Sequence, residues 1–111
     1  MLDFITVIIG LKMKRIPGLS VRNGLKKLGD DLKKARLRRR LKMKIIADRA
    51  GISRETVAKI QKGDPGVSMG SYAAVIFAVG LGTDWMNLAD IEKDSVGRML
   101  DEERIPMRAR G

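Results

Sequence analysis

The chain has 111 residues, enough for one domain of ordinary size, a net charge of +10, and neither cysteine nor histidine. Disulfide frameworks, thiolate and imidazole metal sites and imidazole catalysis are therefore excluded, which argues against an enzyme and leaves no metal or cofactor to expect. The charge is lopsided: through residue 62, 18 Lys/Arg face 5 Asp/Glu, and beyond it 5 face 8, a distribution suited to nucleic acid or an anionic membrane surface.

The opening "MLDFITVIIGL" carries Asp3 and lacks the basic start of a signal peptide. It is also far shorter than the roughly 20 apolar residues of a membrane span, so the chain reads as cytoplasmic, with no membrane partner. Within it, Ile5 to Ile9 are β-branched throughout, which favours a short strand. Three fates for it stand side by side: pairing with its copy in a second subunit, a disordered upstream extension, or a start codon assigned too early, with Met13 as the alternative start. Pro17 and Gly18 then break regular structure, making residues 1–20 an N-terminal extension.

Asn23 can cap a first helix in which Leu25, Leu28, Leu32 and Ala35 recur at helical spacing, ending near Arg38 to Arg40. Its other faces carry Lys26, Lys27, Lys33, Lys34, Arg36, Arg38 and Arg39. Gly29 within it costs about 1 kcal/mol relative to alanine. A second helix, Met43 to Ala50, turns Ile46, Ala47 and Ala50 to one side and stops at Gly51, where a left-handed backbone is wanted. Ser53 caps a third helix from Arg54 to about Lys62, with Val57 and Ile60 inward, before the break at Gly63–Asp64–Pro65–Gly66.

Ser68 caps a fourth helix that is apolar without interruption from Tyr72 to Val79. A helix apolar all round needs burial all round, and a subunit interface is the natural sink for the surplus. "LGTDWMNLA" forms a fifth helix, with Thr83 or Asp84 as cap and Trp85, Met86 and Leu88 inward. A last short helix follows Asp94, Pro106 ends regular structure, and "MRARG" is a basic tail. The fold class is thus all-α, with five helices over residues 21–90 and a C-terminal helix and tail over residues 91–111.

The second and third helices describe a tight helix-turn-helix. Ala47 allows a close crossing, Gly51 makes the turn, Ile52 plugs the corner, and Val57 and Ile60 lock the packing. Arg54, Glu55, Thr56 and Lys59 remain on the outer face. "LKMKIIADRAGISRETVAKIQKG", with "LGDDLKKARLRRR" before it and "GLGTDWMNLA" after it, resembles the helix-turn-helix of the phage-repressor-like, or Xre, family of bacterial DNA-binding proteins.

The resemblance implies a third helix lying in the major groove of double-stranded DNA, and a homodimer reading a palindromic operator. It makes Arg54, Glu55 and Lys59 the base readers, Arg54 or Lys59 toward guanine and Glu55 toward cytosine. Lys42, Ser53, Thr56 and Lys62 would meet phosphates. The chain departs from the family where a Ser or Thr cap and a Gln usually open the second helix: here stand Lys42 and Met43, and the missing cap costs about 1 kcal/mol. The family's glutamate partner of the first-helix arginine is also replaced, so that Arg36 would meet Gln61.

The segment "KDSVGRMLDEERIPMRARG" resembles the C-terminal stretch of HipB-like antitoxins. That implies a transcriptional repressor that regulates its own operon and binds a HipA-like Ser/Thr kinase toxin through Asp90, Glu92, Asp101, Glu102, Glu103 and the tail. The alternative is a stand-alone Xre-type or prophage regulator with no toxin partner.

Overall fold

A computed structural model describes residues 17–108 of the chain, with side chains to residue 103. The expected strand at Ile5 to Ile9, the question of Met13, and the end of the tail lie outside the described residues. Among those described the fold is all-α, without strands. It divides into two compact units between Leu81 and Gly82.

The first unit holds four helices: α1 (Leu19–Arg38), α2 (Met43–Ala50), α3 (Arg54–Gln61) and α4 (Met69–Val79). The α1 helix starts four residues before Asn23, with Gly18 in extended conformation as its N-cap. The Pro17–Gly18 break sets the start, and Asn23 is an exposed residue inside the helix. At the other end Arg40 takes a left-handed φ of 54°, and the Leu41 N–H returns to the Arg36 carbonyl at 3.1 Å.

The α2 helix packs chiefly against α4 and α3, and α1 lies across α3 and α4. Every buried apolar side chain among the described residues belongs to this unit: Leu32 and Ala35 of α1, Ile46 and Ala47 of α2, Val57 and Ile60 of α3, and five residues of α4. Tyr72 is one of the five, and its hydroxyl donates to the Asp64 carbonyl at 2.8 Å. Burial, and secondarily the nearby Asp64 charge, raises the Tyr72 pKa above the usual phenol value. Arg49 of α2 donates to the Ala78 carbonyl near the end of α4, at 3.4 Å. The surplus apolar surface expected of α4 is present: Met69 and Phe77 are 68% and 65% exposed.

The second unit opens with a 3-10 helix at Asp84–Ala89, followed by a single 3-10 turn at Ile91–Lys93 and α5 (Ser95–Arg108). The expected fifth helix is present as this 3-10 helix after Thr83, and the inward facing expected of Met86 and Leu88 is corrected. Both side chains are exposed, and only Trp85 is partly covered. In a 3-10 helix, with three residues per turn, Trp85 and Leu88 lie along one edge and Met86 a third of a turn away, so the three do not share a face. The α5 helix begins just after Asp94, whose carboxylate accepts the Gly97 N–H at 2.9 Å. It runs past Pro106 to Arg108 where a stop was expected; so close to a helix end, proline removes one late hydrogen bond without breaking a long ladder. No helix among the described residues is long and apolar enough to cross a membrane.

Candidate nucleic-acid interface

The second and third helices meet through a three-residue joint that is fixed at every position. Gly51 caps α2 with φ 70°, a conformation that costs glycine little and other residues more. The Ile52 N–H then reaches back to the Ala47 carbonyl at 3.1 Å, and the Gly51 N–H to Asp48 at 3.3 Å, which closes the end of the helix. Ser53 opens α3: its Oγ accepts the Thr56 N–H at 3.1 Å and lies 2.9 Å from the Thr56 hydroxyl. Lys42, at the N-cap position of α2, makes no side-chain capping bond, as its ammonium group dictates.

This joint turns one face of α3 inward and one outward. Val57 and Ile60 are fully buried, and Ala47 is buried where α2 crosses. Ile52 is partly buried at the corner. Arg54, Glu55, Lys59 and Lys62 are exposed, and Glu55, Lys59 and Lys62 share one stripe at i, i+4 and i+7. Ser53 and Lys42 are exposed as well, and Thr56 is half-buried. Glu55 and Lys59 stand at a spacing that would allow an ion pair, yet Arg54, Glu55 and Lys59 make none among the described residues. The face is charged, outward and unengaged.

Two contacts set the position of α3 from behind. Arg36, only 9% exposed, donates from Nε to Gln61 Oε1 at 2.8 Å and from Nη1 to the Leu41 carbonyl at 2.9 Å. Gln61 Nε2 continues to Met43 Sδ at 3.8 Å, so that one amide links α1, α2 and α3. The pairing of Arg36 with Gln61 is where the sequence placed it, and it sets a neutral amide against a buried cation.

The second contact was not foreseen. A Cβ at Gly29 would collide with the Ile60 carbonyl oxygen and would stand 2.8 Å from both the Gln61 oxygen and the Gly63 nitrogen. A Cβ at Gly63, whose φ is 75°, would stand 2.6 Å from the backbone of Leu25 and Lys26. The two glycines thus let the α1 backbone touch the end of α3. The only local sign of this was a glycine inside an otherwise good helix, which usually has a packing reason.

The charges of α1 are unevenly spent. Lys27 pairs with Asp31 at 2.6 Å and Lys34 with Asp30 at 2.8 Å, both across one helical turn. The Lys34 hydrogen bond and charge hold the Asp30 carboxyl below its usual range, and Asp30 in turn raises the Lys34 pKa. Arg22, Lys26 and Lys33 have no such partner among the described residues. No family model, curated protein or solved structure matches the chain.

Proposed function

We propose that the chain is a sequence-specific DNA-binding repressor of the phage-repressor-like helix-turn-helix type, acting as a dimer. The observation that carries this reading is the outward face of α3. Arg54, Glu55 and Lys59 stand exposed and unpaired on a helix whose opposite face is completely buried. A helix held that firmly from behind presents its free donors and acceptor in fixed directions, which readout of base edges in the major groove requires. Ser53, Thr56 and Lys62 on α3 and its caps, and Lys42 at the N-cap of α2, are exposed or half-buried and suit the phosphate backbone. Exposed Phe77 and Met69 on α4 supply the apolar surface for a second copy of the chain.

The test is binding of a duplex from the protein's own upstream region, measured by anisotropy and footprinting against a scrambled duplex. Arg54→Ala and Lys59→Ala should each cost about 1–3 kcal/mol and relax base preference. Unchanged affinity in both variants would overturn the assignment of α3 as the reading helix.

A second role, capture of a kinase-type toxin, is favoured by the exposed apolar side chains of the C-terminal unit, Ile91, Val96, Met99 and Leu100. Removal of the residues beyond Asp94 should abolish co-purification with the product of a neighbouring kinase-like gene and leave DNA binding intact. A stand-alone regulator would lose nothing but the segment.

A further inference from the structure

Resting on the DNA-binding reading, the stripe of α1 that crosses the end of α3 calls for an account of its own. Arg22, Lys26, Gly29 and Lys33 follow one another at i, i+4, i+7 and i+11, so they share one edge of the helix. Gly29 in the middle is where the α1 backbone meets Ile60, Gln61 and Gly63. Lys26 therefore lies beside Gly63, one residue from exposed Lys62 at the C-cap of α3. Lys33 lies one turn beyond Gly29 on the other side of the contact.

On the neighbouring stripe Lys27 pairs with Asp31 and Lys34 with Asp30, which leaves exposed Arg38 as the cation there without an ion pair among the described residues. The Arg22–Lys26–Lys33 edge thus carries three cations without an ion pair among the described residues, and it is the edge joined to the end of α3. Five exposed cations, Arg22, Lys26 and Lys33 of α1 with Lys59 and Lys62 of α3, then flank the Lys26–Gly63 contact, with Glu55 one turn before Lys59 and no ion pair among them in the described residues.

We propose that the Arg22–Lys26–Lys33 edge of α1 is a second DNA-contacting surface, one that grips backbone phosphates outside the bases read by α3. Its ligand is the polyphosphate backbone of duplex DNA, matched by charge alone, so it contributes affinity and no sequence preference. The Gly29–Gly63 contact is what places this edge at a fixed distance from the reading face.

The experiment compares two charge-matched double variants of the full chain, Lys26→Gln/Lys33→Gln and Lys27→Gln/Lys34→Gln. Affinity for the own-upstream duplex and for a scrambled duplex is measured across a salt series. Each lost phosphate contact lowers the slope of log affinity against log salt by about 0.9. The first double should therefore lower it by about 2 on both duplexes, and the second should leave it unchanged. Equal slope changes in the two doubles, or none in either, overturn the proposal. So does a first double that melts earlier at an unchanged slope, since the lysines would then serve only the carbonyl end of α3. Should the first double fail to fold, Arg22→Gln, one turn from the contact, replaces it and should lower the slope by about 0.9. A wild-type protein that binds neither duplex sinks the DNA reading itself, whereas a wild type that binds with indistinguishable doubles sinks only this inference.

Discussion

The two compact units treat their apolar residues in opposite ways. Up to Leu81 they are packed: Leu32, Ile46, Val57, Ile60 and Val75 are almost completely shielded from solvent. From Gly82 onward no described residue is buried, and Met86, Leu88, Ile91, Val96, Met99 and Leu100 are exposed. In the first unit, tertiary packing therefore dictates where each helix points, which is the condition the proposed reading face needs. In the second, local devices hold the helices: Asp90 accepts the Glu92 N–H and Asp94 accepts the Gly97 N–H, each at 2.9 Å. Beyond these caps, Arg98 of α5 donates to the Glu92 carbonyl at 3.2 Å, and short helices held by such local bonds are marginal in water. They suit a segment that completes its packing on a partner, at the cost in ordering that such binding carries.

The sharpest way to break this contrast is to add one side chain to each unit. At Gly29 a Cβ meets backbone atoms of Ile60, Gln61 and Gly63, none of which can swing aside. Gly29→Val should lower the unfolding free energy by about 3 kcal/mol or more, read by urea denaturation. At Gly97 a Cβ meets only the side chain of Asp94, and Gly97→Ala should change stability by less than about 1 kcal/mol. Comparable effects in both variants would mean that the first unit owes its rigidity to something other than the α1–α3 seam.

A step down in size is the amide behind α3. Gln61→Ala leaves the buried Arg36 with the Leu41 carbonyl as its described partner and should cost about 1–3 kcal/mol. Gln61→Glu supplies a charged acceptor to a cation that is already buried, and should equal or exceed the wild-type stability. A Gln61→Ala protein as stable as the wild type would show that Arg36 holds α3 through its packed stem and not through this bond.

The parts of this fold that could be read in the chain are those whose causes are local. Gly51, Ser53 and the apolar spacing of Ile46, Ala47, Val57 and Ile60 lie within fifteen residues, and each acts on its immediate neighbours. The joint and the outward placement of Arg54, Glu55 and Lys59 follow from them. Resemblance to a family placed Arg36 opposite Gln61, a pair 25 residues apart that no local rule would join. What escaped the sequence was set at a distance. Gly29 counts as a defect until the end of α3 is seen lying against it. Asn23 is a good cap by composition, but Pro17 and Gly18 start the helix before the chain reaches it. Met86 and Leu88 read as inward positions of a fifth helix, yet both stand exposed on the 3-10 helix that forms there, and of the three apolar residues only Trp85 is partly covered.

The smallest effect tests whether the two needs of one residue can be separated. Lys42 sits at the N-cap of α2, where a serine would offer an acceptor to the first turn and lysine offers none. Its ammonium, however, is exposed and belongs to the proposed phosphate contacts. Lys42→Ser should raise stability by about 1 kcal/mol through the new cap and at the same time weaken DNA binding, lowering the salt slope by about 0.9. Lys42→Ala provides neither cap nor charge, so it should show the same loss of binding without the gain in stability. The opposed signs matter because a mere loosening of the fold would move both quantities in one direction. Lys42→Ser that stabilises α2 and also leaves binding unchanged would remove Lys42 from the interface while leaving the capping argument intact.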